Sequence, residues 1–207
     1  MARPASACSS NVTTEAPLTP AVQPAPDVVM HSDEDLARRT KDGDGAAFAA
    51  LLERHYDRVY RLGFRLLGSR AEAEDLAQDV CAALPGKIGG YRGEARFTTW
   101  LYRVTVNAAE DRRRRSARQT RLAADWGTHE VDRQAGLAED AEARTWLAEA
   151  MRSLPDELVT TLALLLDEGM THAEAGQVLG VSEGTIHWRM AEVRKRLRAL
   201  HAKELEA

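Results

Sequence analysis

Residues 91–115 read YRGEARFTTWLYRVTVNAAEDRRRR. The segment sets a glycine-punctuated loop, an aromatic-rich helix start and four consecutive arginines, Arg112 to Arg115, in one short span. Trp100, Arg103 and Asn107 are spaced i, i+3, i+7 and share one face of a helix. Leu101, Val104 and Ala108 fall on another face and can pack inward. The outward surface then offers an aromatic ring, a guanidinium, an amide and, at the helix end, dense positive charge. Nucleic acid uses all four, because bases stack on rings, Asn reads base edges and Arg binds phosphate. An ordinary amphipathic helix with a solvated basic end has the same spacing, so the segment alone leaves both readings open.

A second stretch, Thr171 to Gly180, reads THAEAGQVLG. Thr171 can cap a helix, and Glu174 three residues later completes a capping box. Gly180 suits a left-handed helix stop. Val181 leads to Ser182, a second N-cap, and a new helix begins. In it Ile186, Met190, Val193, Leu197 and Leu200 recur at intervals of three and four, an apolar stripe. Two helices joined by a short glycine-containing turn make a helix-turn-helix, whose second helix can enter a DNA major groove. His187, Arg189, Arg194, Lys195, Arg196 and Arg198 are expected on its exposed face.

These two features, in this order, resemble the bacterial sigma factors of the extracytoplasmic-function (ECF) group. The resemblance rests on Ala73 to Val80 (AEDLAQDV), Tyr91 to Arg103 (YRGEARFTTWLYR) and Asn107. It continues in Leu154-Pro155, Glu168 to Thr171 (EGMT) and Val181 to Ile186 (VSEGTI), and closes on the basic run Arg194 to Arg198. It runs from about residue 33 to about residue 200.

The composition agrees. The chain of 207 residues has room for one or two modest domains. Aromatic content is only 5% and Ala, Leu, Arg and Glu are abundant, which favours helices. The fold class expected is all-α: two small helical domains joined by a flexible linker, the second ending in the helix-turn-helix. A net charge of −4 excludes a uniformly basic nucleic-acid binder and fits local basic patches beside acidic surfaces. Cys8 and Cys81 form no CxxC pair, so a reduced, cytoplasmic setting is the expectation. The six histidines are scattered and no metal site is expected. No apolar run approaches membrane-spanning length, so no membrane insertion is expected.

The chain divides into zones. Residues 1–31 are rich in Ala, Pro, Ser and Thr and read as a disordered tail. One expectation to test is that translation starts at Met30, just before the family-like region. Residues 32–115 read as the first helical domain. Phe48, Leu51, Leu52, Tyr56, Val59 and Leu66 trace one helix face, and Ser69 with Glu72 caps the next helix. That helix has an inner face of Leu76, Val80 and Leu84, and Pro85 and Gly86 are expected to break it. Residues 116–140 read as a linker. Residues 141–200 read as the second helical domain, with Leu158, Leu162, Leu165 and Leu166 on its central face, and 201–207 as a short tail.

The resemblance implies a function. Such a protein binds core RNA polymerase and directs it to particular promoters. Its first domain, sigma region 2, holds the polymerase clamp and melts the −10 element. Its second, sigma region 4, binds the −35 element. Residue by residue, it implies Asp75, Gln78 and Asp79 as contacts to core polymerase. It implies Tyr91, Arg92, Arg96, Trp100, Arg103, Asn107, Arg112 and Arg113 at −10 DNA, with the loop from Gly90 to Arg96 as the pocket for a flipped base. It implies Ser182, Thr185, His187, Trp188, Arg189 and Arg194 at −35 DNA, with Arg189 as the reader of a guanine. Trp100 could equally be a core residue that shapes the loop. Trp188 is open to two uses, a thymine methyl contact or packing on a protein partner. The implied partners are core RNA polymerase, promoter DNA and an anti-sigma factor.

The chain departs from the family pattern in several places. Pro85 and Gly86 stand where a Trp and a basic residue are usual, and Cys81 replaces a bulky hydrophobe. His187, Trp188, Glu192 and Gly176 are also unusual at their positions. A family −35 sequence is therefore not transferred. The competing reading is a helix-turn-helix regulator that binds DNA without joining polymerase, which leaves Tyr91 to Asn107 without a role. Catalysis is not expected: no Ser/His/Asp or Cys/His arrangement, no phosphate-binding glycine loop and no cofactor motif is visible. The cluster Glu72, Glu74, Asp75 and Asp79 lies at a family position for protein contact.

Overall fold

The computed structural model describes residues 31–124, 151 and 153–205. Expectations for the tail at 1–30 and for 125–150, which holds most of the linker, lie outside these residues. Among the described residues every regular element is helical. Helix α1 spans Asp33–Lys41; the Ser32 side chain accepts from the Asp35 N–H at its start. Its first turn is acidic (Asp33, Glu34, Asp35) and its last basic (Arg38, Arg39, Lys41), matching the helix dipole at both ends.

Helix α2 spans Gly45–Leu67, capped by Asp44, whose Oδ1 accepts from Ala46 and Ala47 N–H at 2.9 and 3.0 Å. It buries Ala47, Leu51, His55, Val59, Leu62 and Leu66, spaced four, four, four, three and four. Phe48, Leu52 and Tyr56, expected on this face, lie on its flank and are half-buried.

Helix α3 spans Arg70–Lys87, with Ser69 capping the Glu72 N–H, and buries Leu76, Val80 and Leu84. The expected break at Pro85 does not occur. Pro85 sits in the last turn and is exposed, so it removes one intrahelical bond next to where the helix stops. A short 3₁₀ turn, Ile88–Gly90, follows. Helix α4, Phe97–Ala124, runs nine residues past Arg115, into the stretch read as linker. Its buried arc is Leu101, Tyr102, Thr105, Val106 and Ala109, with Val104 and Ala108 only half-buried. The arc is wide because α2 and α3 cover one side of α4 and the helix His172–Leu179 another.

Helix α5 spans Asp156–Leu162 and continues into a π turn, Ala163–Asp167. The wider turn rotates Leu166 off the apolar face predicted for it, leaving it 68% exposed, while Leu158 and Leu162 are buried. Helices α6 (His172–Leu179) and α7 (Glu183–Leu205) form the helix-turn-helix. Thr171 and Glu174 make both bonds of the capping box, at 3.2 and 2.9 Å, and Gly180 stops α6 at φ 67°. Gly176 has a packing reason: a Cβ there would lie 2.8 Å from the Val181 carbonyl oxygen. The missing methyl lets the turn fold tightly onto α6.

One apolar cluster joins Leu36, Leu51, Leu62, Leu76, Phe97 and Leu101 to Leu164, Ala175, Val178 and Ile186. A second cluster, around Leu154, Leu158, Met190 and Val193, stays within the C-terminal helices. Each fully buried leucine or isoleucine contributes about 1.5–3 kcal/mol. The shared cluster is therefore the main force holding α5–α7 against α2 and α4.

Candidate nucleic-acid interface

The loop Tyr91–Arg96 is built on an aromatic group. Tyr91, Phe97 and Trp100 have ring centroids 5.6–5.7 Å apart, with Tyr91 edge-on to Phe97. The Tyr91 hydroxyl donates to the Ala95 carbonyl at 2.9 Å, bridging the loop from within. Tyr91 is 5% exposed, and burial pushes its phenol pKa up. The structure places the Tyr91 ring, expected at −10 DNA, inside the loop, where it shapes the loop. Trp100 is half-buried in the same group, and Arg92, Gly93 and Glu94 form the exposed crest.

Along α4, Arg103 and Asn107 are both exposed, as their spacing predicts. Arg103 donates to the Gln177 carbonyl of α6. Tyr102 donates its hydroxyl to Glu168; burial first, and this carboxylate second, push the phenol up. Arg96 lies 3.7 Å from Glu174. Between these elements is a cavity of about 340 Å³ whose lining includes Arg58, Arg61, Arg96, Tyr102, Glu168 and Glu174.

The basic end of α4 is not a free charge cloud. Arg112 reaches Asp75 at 2.8 Å and Asp79 at 3.3 Å on α3, while Gln78 beside them is exposed. Arg113 is largely buried, 2.8 Å from Asp156 of α5. The sequence reading assigned Arg112 and the two aspartates to different partners, whereas the fold brings them together. Arg113 likewise spans to α5 here and does not face solvent.

On α7 the outward face is Glu183, Gly184, His187, Trp188, Ala191, Lys195 and Arg198. Ser182 caps the helix through the Thr185 N–H (3.1 Å) and bonds the Thr185 hydroxyl (2.9 Å). Trp188 is 59% exposed, and the His187 ring stacks flat on His172 at 4.0 Å. Arg194 is exposed. Arg189 corrects the reading that placed it outward: it is only 15% exposed and turns inward, 3.4 Å from Thr161 Oγ1 and 3.7 Å from Glu157 of α5. It lies three residues after Ile186 and four before Val193, on the edge of the buried stripe. Lys195 occupies the outward position instead. Among the described residues no cluster of three or more His, Cys, Asp or Glu is placed to hold a metal, and no helix is long and apolar enough to cross a membrane.

The comparisons with known proteins divide along the same lines. Residues 51–119 match the family model of Sigma-70 region 2, and residues 150–199 match that of Sigma-70, region 4. The ECF RNA polymerase sigma factor SigE of Mycolicibacterium smegmatis is 34% identical over 186 residues, covering 86% of this chain and 72% of that protein. This chain belongs to the ECF sigma factors. The ECF RNA polymerase sigma factor SigW of Bacillus subtilis is 30% identical over 172 residues, covering 78% of this chain and 92% of SigW. The solved sigma factor RpoE of Bartonella quintana, in complex with the anti-sigma factor NepR, shares the fold. Its TM-score is 0.62 at 19% identity, over 75% of this chain and 96% of that one. As an ECF sigma factor the protein is a transcription initiation factor that binds core RNA polymerase and directs it to promoters.

Proposed function

We propose that residues 32–115 engage core polymerase and melt the −10 element, and that residues 141–200 bind the −35 element as a duplex. The observation that supports this division best is the pair of exposed surfaces. One carries the Arg92–Glu94 crest with Arg103 and Asn107; the other carries His187, Trp188 and Lys195 on a capped helix after a tight turn. Asp75, Gln78 and Asp79 offer acceptors and an amide to the polymerase clamp, with Arg112 holding the two carboxylates in register until the clamp's cations replace it. Arg92, Arg96, Trp100, Arg103 and Asn107 receive the opened −10 strand, and Arg112, once released from the two aspartates, adds phosphate affinity without sequence choice. Ser182, Thr185 and Arg194 hold −35 phosphates, while His187 and Trp188 face the bases.

The protein works in the bacterial cytoplasm and is held inactive by an anti-sigma factor, as its structural relative from Bartonella quintana was solved bound to one. Its chemistry is binding, with no catalytic step of its own. The test is Asn107→Ala in a reconstituted holoenzyme. Permanganate reactivity at the −10 thymines should fall while core affinity stays within about twofold. Loss of core binding at normal helicity would show that the face carrying Asn107 serves polymerase instead.

A further inference from the structure

We propose that α1 is a positioning element for −10 base capture, with Glu34 and Lys41 holding the two ends of the loop. It rests on the reading of loop 91–96 as the capture pocket. Helix α1 lies outside the stretch matched to the region 2 family, which begins at residue 51.

The contacts are specific to the loop ends. At one end the Lys41 ammonium donates to the Tyr91 carbonyl oxygen and stands 5.6 Å over the Tyr91 ring. At the other, Glu34 Oε1 accepts from the Phe97 N–H at 3.3 Å. That N–H is an orphan donor of the first turn of α4, where a carboxylate is also favoured by the helix dipole. Beneath Phe97 the His55 ring lies at 5.5 Å, with its Nε2 2.9 Å from Asp33 Oδ2, so a third α1 side chain sets the floor of the same end. Leu36 and Ala37 bury α1 in the core, which makes it a fixed arm.

Flipping a base costs a few kcal/mol of lost stacking and pairing, and a loop already held in the receiving shape adds no ordering cost to it. Both Glu34 and Lys41 are exposed. Removing either deletes no apolar core contact; Lys41→Ala should leave stability nearly unchanged, and Glu34→Ala, which frees the Phe97 N–H, should cost no more than loss of a helix cap. Their loss should instead let the loop ends move and make opening slower and less selective for the −10 sequence.

The experiment compares Glu34→Ala, Glu34→Gln, Lys41→Ala and Lys41→Arg as full chains assembled with core polymerase. Thermal melting, core affinity, opening of a duplex promoter and discrimination between correct and altered −10 sequences are measured. A premelted template serves as the bypass control. Expected are unchanged core affinity, unchanged melting for Lys41→Ala and at most the small melting loss of a removed cap for Glu34→Ala, at least about fivefold weaker opening and discrimination for both Ala variants, recovery in the Gln and Arg variants, and near-normal transcription from the premelted template. Normal opening and discrimination in folded Ala variants overturns the proposal, as does an equal defect in the Gln and Arg variants or a loss confined to core binding. Should one Ala variant not fold, the other decides. Arg92→Ala with Arg96→Ala in the same assay separates the two claims: if that double variant opens promoters normally the capture-loop reading fails, whatever α1 does.

Discussion

Arg189 shows how the fold sets a side chain's placement. Its position in a basic helix suggests a guanine reader, yet it bridges α7 to α5 through Thr161 and Glu157. Arg189→Ala should therefore lower stability by about 0.5–1.5 kcal/mol, the range for an ordinary hydrogen bond, because its contacts at 3.4 and 3.7 Å are long for charge-assisted ones. It should leave the −35 preference of the holoenzyme unchanged. Urea unfolding and run-off transcription on −35 variants measure both. His55 carries a second residue-level effect. Burial holds its pKa below the usual 6.5, outweighing Asp33, which pulls the other way. The unfolded chain then takes up a proton near pH 6.5 that the folded chain refuses, so stability falls as pH drops through that value toward the folded pKa. Urea midpoints at about pH 7.5 and 5.5 should separate more for wild type than for His55→Leu. The opposite order would mean that Asp33 holds a charged ring.

At the scale of elements, much was legible because local signals and tertiary demands agreed. Thr171, Glu174, Gly180 and Ser182 are short-range chemistry, and their helix-turn-helix stands as read. Thr171→Ala removes one side of the capping box and should destabilise the protein by about 0.5–2 kcal/mol, with Thr171→Ser close to wild type in urea unfolding. Where prediction and structure part, a longer-range cause is visible. Pro85 looked like a break because its position relative to the helix end is not encoded locally. Leu166 looked buried because a π turn leaves no mark in periodicity. The burial of the Tyr91 ring is not legible in the sequence, because only the packed loop shows its hydroxyl turned onto Ala95. The α1 contacts to that loop join residues 50 and 63 positions apart and have no sequence signal at all.

For the whole molecule, the C-terminal helices lie on the face of α4 that carries Arg103. The contact combines the apolar cluster through Leu164, Val178 and Ile186 with exposed ion pairs such as Arg96–Glu174. Exposed ion pairs are worth only about 0–1 kcal/mol each, so the apolar part decides. Small-angle scattering of the free chain should be the same at low salt and at about 0.5 M salt, where exposed pairs are screened. Expansion in salt would mean that the charges, not Leu164 and Ile186, keep it closed. With Arg103 of the −10 surface engaged by the Gln177 carbonyl, the chain alone should also shift promoter DNA weakly. The central claim is that this chain gives core polymerase its promoter choice. The most direct test is pull-down of core RNA polymerase by the purified protein, followed by run-off transcription on genomic fragments with the reconstituted enzyme. The account predicts stable association and transcripts that start downstream of shared −35 and −10 sequences. Failure to bind core with helicity intact, or tight promoter binding by the chain alone, would contradict it.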